Sequence, residues 1–236
     1  MRAEEVIRDS RLAEIWRSVG AEVRQVGSLR SGLLMKHRDI DFHIYSSPLR
    51  LEESFAAMAQ LAADPAVGRI ECRNLLATDE ACVEWHATYR DRDGDEWQLD
   101  MIHIVRGSRY DGYFERAADR IAAALTPVTR RAILQLKYDT PDDVKIAGIE
   151  YYVAVLRDGV RTYDAFAEWR RTHPLTGIVE WMARPAHTVA DRRRPPVPVC
   201  TRYPVVLSSG GSTAKRNAKK SRRRKRNRFY LVIPHF

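Results

Sequence analysis

Between residues 39 and 45 the chain alternates in the manner of a half-buried strand: Ile40, Phe42 and Ile44 fall on one side, Asp39, Asp41, His43 and Tyr45 on the other. Elsewhere the periodicity is helical. Val6, Ile7, Leu12, Ile15, Trp16 and Val19 share a face over 3–19, and Gly20 can end that helix. A short strand is predicted over 21–26. Ser47-Pro48 reads as a cap followed by proline, so a helix is predicted from there to about Ala63. Three strands follow, within 66–76, 81–90 and 96–106, the last two joined through the hairpin signal Asp93-Gly94. After Gly107 the pattern becomes helical, with helices predicted near 111–124, 127–138, 141–157, 162–172 and 174–184. Thr126-Pro127, Thr140-Pro141 and Thr162 supply the start signals. The fold class expected is α+β: a small mixed β-sheet core with helices on one side, over 1–107, then a helical acceptor or substrate region over 108–184.

Composition changes the picture for the remainder. Residues 185–236 are Pro-rich, then Gly/Ser-rich, then dense in Lys and Arg, and disorder is predicted for most of 186–236. Between Asp191 and Phe236 fourteen basic residues face one acid, so this segment carries +13 and residues 1–190 carry −4 of the net +9. A broad basic groove is therefore not implied for the folded part. The block 215–228 carries two readings, contact with nucleic acid or another anionic surface through phosphate charge, or a solvated tail with no role. No run of ~18 apolar residues suggests a membrane span. The N-terminus lacks the apolar block of a secretory signal. Cys72, Cys82 and Cys200 form no CxxC pair and read as free thiols, which points to a reducing, cytoplasmic setting.

The chemistry lies in the carboxylates. Asp39 and Asp41, at i and i+2 of a strand, share a face, and two like charges so close raise each other's pKa unless a cation joins them. Asp100 is the sole acid in the apolar run "LDMIHIV" and is the natural third carboxylate. Oxygen ligands suit Mg²⁺, with Mn²⁺ as its substitute, and two ions are expected. Gly27 allows backbone to approach phosphate oxygens, and the Ser28 hydroxyl can donate to them.

The run Gly27-Ser28-x-x-x-Gly32, followed by Asp39-Ile40-Asp41, resembles the signature of the polymerase-beta-like nucleotidyltransferases, closely over 26–45 and more loosely over 20–105. The resemblance implies that Gly27 and Ser28 hold a triphosphate, and that Asp39, Asp41 and Asp100 bind the metal ions and do the catalysis. It implies transfer of a nucleoside monophosphate from an NTP, ATP favoured, to an acceptor hydroxyl on a small molecule or a protein side chain, with release of pyrophosphate. The alternative is a non-catalytic regulatory or RNA-binding module that uses this fold with the basic tail. Arg38 stands where the family often has Ser, and with Lys36 and His37 it makes that loop more basic than the pattern requires.

Further candidates carry two readings each. Arg30 is either a phosphate contact or a solvated loop residue. Lys137, ending the helix after Thr126 beside Tyr138, is either a nucleotide contact by resemblance or a helix-end lysine. His43 is an active-site neighbour or a strand histidine. His103 lies on the face opposite Asp100 and reads as core, as do Tyr151, Tyr152, Phe166, Trp169 and Trp181.

Overall fold

Helices α1 (Arg2–Asp9) and α2 (Leu12–Ser18) lead into β1 (Glu22–Gln25), the one-turn α3 (Gly27–Arg30), β2 (Asp39–Ser46) and α4 (Leu51–Leu61). Then come β3 (Val67–Asn74), β4 (Cys82–Arg90), β5 (Glu96–Val105), α5 (Tyr113–Ala124), α6 (Pro127–Asp139), α7 (Gly148–Leu156) and α8 (Tyr163–Thr172). This computed structural model describes residues 2–175 and 177–185. The disorder expected for 186–236 and the basic block 215–228 lie outside the described residues.

The five strands form one mixed sheet in the order β1-β2-β5-β4-β3. Only β2 and β5 run parallel, and their register sets Asp39 opposite Gln98 and Asp41 opposite Asp100. The alternation at 39–45 is realised: Ile40, Phe42 and Ile44 enter a core with Leu99, Met101, Trp85, Trp16, Met58 and Leu61. Thus α1, α2 and α4 cover one face of the sheet. A second cluster joins Ile133, Leu136, Tyr151, Val155, Phe166 and Trp169 from the later helices. Tyr151, Phe166 and Trp169 stack in series, with ring centroids 4.7 and 6.1 Å apart. Among the described residues no helix is long and apolar enough to cross a membrane.

Four local expectations are corrected. The helix over 3–19 is two helices, broken at Arg11, whose φ of 52° lies in the left-handed region. The Ser47–Pro48 peptide is cis, and α4 begins only at Leu51. Thr140 does not cap a helix at 141. Its hydroxyl donates back to the Leu136 carbonyl (2.8 Å) and meets the Tyr151 hydroxyl (2.8 Å), so α7 starts later, at Gly148. No helix is formed by the described residues of 174–184. By contrast, Thr126 makes a reciprocal capping box with Thr129, and Thr162 accepts from the Ala165 N–H.

The histidine His103 belongs to the core face. It bridges Ser46 (2.7 Å) and Ser54 (3.2 Å), while the Trp85 indole donates to Ser54 (2.7 Å). Burial depresses its pKa to about 4, so it is neutral there.

Candidate active site

The opposite face of β2, β5 and β4 carries the polar side chains, because the alternation that buries Ile40 and Phe42 must turn their neighbours the other way. Asp39, Asp41 and Asp100 line one cleft together with Gly27 and Ser28. α5 lies over it, and the cleft continues to the start of α7 and to Trp181. Gly27 sits at φ +67°, and a Cβ there would fall 1.8 Å from an Asp41 carboxylate oxygen. The chain between β1 and β2 therefore passes directly against that carboxylate. The Ser28 hydroxyl is buried and has no hydrogen-bond partner among the described residues.

Burial, opposed in part by Lys137 and reinforced by Asp100, raises the Asp39 pKa to about 6. Burial and the charges of Asp39 and Asp100 push Asp41 well above the usual carboxylate range. The ionised forms of Asp39 and Asp41 are thus disfavoured without a counter-charge, and a divalent cation is the counter-charge that hard carboxylate oxygens suit. Among the described residues no three acidic, His or Cys side chains are already gathered into a metal cage. Asp100 is drawn sideways instead. His86, its direct partner across β4 and β5, meets its Oδ1 at 2.5 Å, and the Gln98 amide donates to both carboxylate oxygens at 2.9 and 3.2 Å.

That flank was missed in the sequence. His86 stands between Asp100 and Glu84, whose carboxylate is fully buried, has no hydrogen bond among the described residues, and lies 3.8 Å from His86 Nε2 and 3.7 Å from the Arg73 guanidinium. Burial works against the charged imidazole, but Asp100 and Glu84 outweigh it and raise the His86 pKa to about 9. His86 is therefore an imidazolium at neutral pH. Its stabilisation is complete below the unfolded value of ~6.5 and is lost as pH rises through about 9.

His43 also lines the cleft, held from behind by Glu115 at 3.5 Å and edge-on to Phe114 at 5.2 Å. Burial resists ionisation of Glu115, yet His43 and Tyr45 bring its pKa down to about 2; the Tyr45 hydroxyl donates to it at 2.7 Å. Lys137 is buried, and its ammonium donates to the Leu33 carbonyl (3.0 Å) and reaches the Tyr152 hydroxyl (3.4 Å). It does not line the cleft, but its charge bears on Asp39 and Asp41. Tyr138 is exposed. The Arg30 guanidinium is spent on Asp119 (2.7 and 2.9 Å) and the Gln25 carbonyl (3.0 Å). Arg38 pairs with Asp95, and Lys36 with Asp142. Tyr152 and Trp181, read as core, do belong to or pack against the second core cluster, and they also border the cleft.

The charge of Asp39 has a measurable consequence. A carboxyl whose pKa rises on folding contributes stability that is complete below the unfolded value of ~3.9 and is lost as pH rises through about 6. The loss is on the order of 3 kcal/mol. In chelator, wild type should therefore lose melting temperature relative to Asp39→Asn as pH goes from acid to neutral. Thermal melts of both proteins across that range check this, and a constant difference would contradict it.

No family model matches the chain, and comparison with curated proteins gives no match. Several solved structures are similar to it. Cid1 poly(U) polymerase bound to MgGTP aligns at TM-score 0.47 and 17% identity, over 66% of this chain and 49% of that one. A cytoplasmic RNA terminal U-transferase aligns at 0.44 and 15%, over 66% and 47%. The non-canonical poly(A) polymerase complex GLD-2–GLD-3 aligns at 0.47 and 11%, over 72% and 58%. The chain spans about half the length of the solved structures it matches.

Proposed function

We propose that this chain is a nucleotidyltransferase that moves a nucleoside monophosphate from an NTP to an acceptor hydroxyl and releases pyrophosphate. The observation that carries the reading is the set of three strand-borne carboxylates sharing a cleft with a close-packed glycine and an unpartnered buried serine hydroxyl. Asp39, Asp41 and Asp100 would hold Mg²⁺, two ions in all, with Mn²⁺ as the substitute. Bound there, the ions supply positive charge that lowers the pKa of the attacking hydroxyl and shields the leaving pyrophosphate.

The residues of this chain divide the rest of the work. Ser28 donates its hydroxyl to a phosphate oxygen, and Gly27 lets the backbone approach without a side chain between. Asp100 takes the proton of the acceptor hydroxyl, and His86 and Gln98 orient its carboxylate. Lys137 supplies fixed counter-charge from behind Asp39. Arg30 fixes α3 against α5 through Asp119.

The test is label transfer with each of the four α-labelled NTPs, ATP first, over a panel of acceptor classes, with wild type and the Asp39→Asn/Asp41→Asn double variant compared. Labelled product and pyrophosphate should form with wild type and Mg²⁺ only. Equal product from the double variant would refute the assignment.

A further inference from the structure

The cleft does not end at the carboxylates. Over β5 and β4 it continues between Ile102, Ile104 and Cys82 on the sheet and Tyr110, Phe114 and Trp181 above. Phe114 is braced by Tyr110 and Tyr113, with ring centroids 5.7 and 5.1 Å away. Among the described residues that line the cleft there is no Lys or Arg, and the acids are Asp39, Asp41, Asp100 and Glu80. One polar atom on this wall has capacity to spare: the Tyr113 hydroxyl is buried and makes no hydrogen bond of good geometry among the described residues, although the Trp181 backbone N–H is directed toward it.

Phosphoryl transfer places the attacking and leaving oxygens roughly in line through phosphorus. If the pyrophosphate leaves toward Gly27 and Ser28, on the β1 side of Asp41, the acceptor must enter from the β5 and β4 side, past Asp100. That side is apolar and ring-walled. A nucleic-acid strand needs cations along its phosphates, and aromatic faces interleaved with them for its bases. With acids and no Lys or Arg along it, the arm repels phosphates, and the aromatic faces that remain suit an uncharged ring.

We infer that this arm is an acceptor subsite for a compact, uncharged, ring-bearing alcohol with a second polar group at its far end, which the Tyr113 hydroxyl meets. This deepens the nucleotidyltransferase reading and rests on it. In the step, the acceptor oxygen forms a bond to the α-phosphorus while the bond from that phosphorus to the bridging oxygen breaks. Pyrophosphate departs with the electron pair, and the hydroxyl proton passes to Asp100.

Two probes separate the features: tyrosol, an alcohol with a distal phenol, and phenylethanol, which lacks the phenol. Saturation-transfer NMR on the full chain, with Mg²⁺ and a non-hydrolysable NTP analogue, reads binding of each. Both probes should bind, tyrosol more tightly, and a short single-stranded oligoribonucleotide should not displace them. Trp181→Ala and Phe114→Ala should weaken both probes by about tenfold or more, the scale of one lost aromatic wall. Tyr113→Phe should weaken tyrosol alone. Binding of the NTP analogue should be unchanged in every variant, which also shows that each is folded. Displacement of the probes by the oligoribonucleotide, absence of probe binding, or parallel loss of analogue affinity would overturn the acceptor assignment while leaving nucleotidyl transfer standing. Failure of wild type to bind the analogue would remove the parent reading and this one with it.

Discussion

Asp41→Asn should abolish Mg²⁺-dependent pyrophosphate release while the protein stays folded. The position explains both halves. Asp41 lies opposite Asp100 in the parallel pairing of β2 and β5, and its backbone carbonyl accepts from the Val26 N–H at 3.0 Å, so the strand holds it without help from the carboxylate. Its side chain meets Gly27 directly and feels the charges of Asp39 and Asp100. On the proposed function, removing one anion of this set would take away several kcal/mol of metal-mediated transition-state stabilisation, equivalent to about a thousandfold or more in rate. Stability moves the other way. Burial and like charge raise the Asp41 pKa, so the ionised form costs the folded state, and neutral Asn is relieved of that cost. Without metal the variant should melt at or above the wild-type temperature. Mg²⁺ should raise the melting temperature of wild type and leave the variant where it was. Pyrophosphate release equal to that of wild type would rule out the site.

The strand bearing Asp39 and Asp41 was legible because its period of two is strict and both functions use it: Ile40, Phe42 and Ile44 pack, and the residues between them face the cleft. Asp100 was legible for the same reason, as a lone acid in an apolar strand. That Asp41 and Asp100 stand side by side was not. Parallel pairing across a helix and two strands leaves no local signature in either segment.

His86 failed for a sharper reason. A two-residue turn at Asp93-Gly94 would pair 92 with 95 and set Ala87 opposite Asp100. The actual connection is longer, since Arg90 pairs with Glu96. Asp91 builds it, accepting from the N–H groups of Asp93 and Asp95 at 3.0 Å each and from the Trp97 indole at 2.8 Å. One residue of register exchanges Ala87 for His86, and so decides whether the third carboxylate has an imidazolium neighbour. Tyr152 and Trp181 show a third limit. Apolar patterning reports that a side chain is removed from water, and it reports the same for a core and for a ligand cleft.

Gly27→Ala should cost more activity than its stability loss accounts for. Two effects act at this residue. The first is the backbone: φ is +67°, where an alanine costs roughly 1–2 kcal/mol relative to glycine. The second is space, since the new methyl carbon would stand 1.8 Å from the Asp41 Oδ2 and 2.6 Å from its Cγ. Asp41 is fixed in the sheet on one side and by Val26 on the other. Either its carboxylate rotates out of the cleft or the 27–30 turn lifts away from it, and both separate Ser28 from the carboxylates. Gly94 isolates the first effect. Its φ is +85° and nothing lies within 4 Å of a Cβ there, so Gly94→Ala carries the backbone cost alone, far from the cleft. The expected pair of results is a similar backbone contribution to both melting temperatures, a further drop in Gly27→Ala, and pyrophosphate release reduced about a hundredfold or more in that variant only, as for a misplaced reacting group. Denaturant melts and release assays on the two variants measure this. If Gly27→Ala lost no more activity than Gly94→Ala, the contact with Asp41 would have no part in the chemistry.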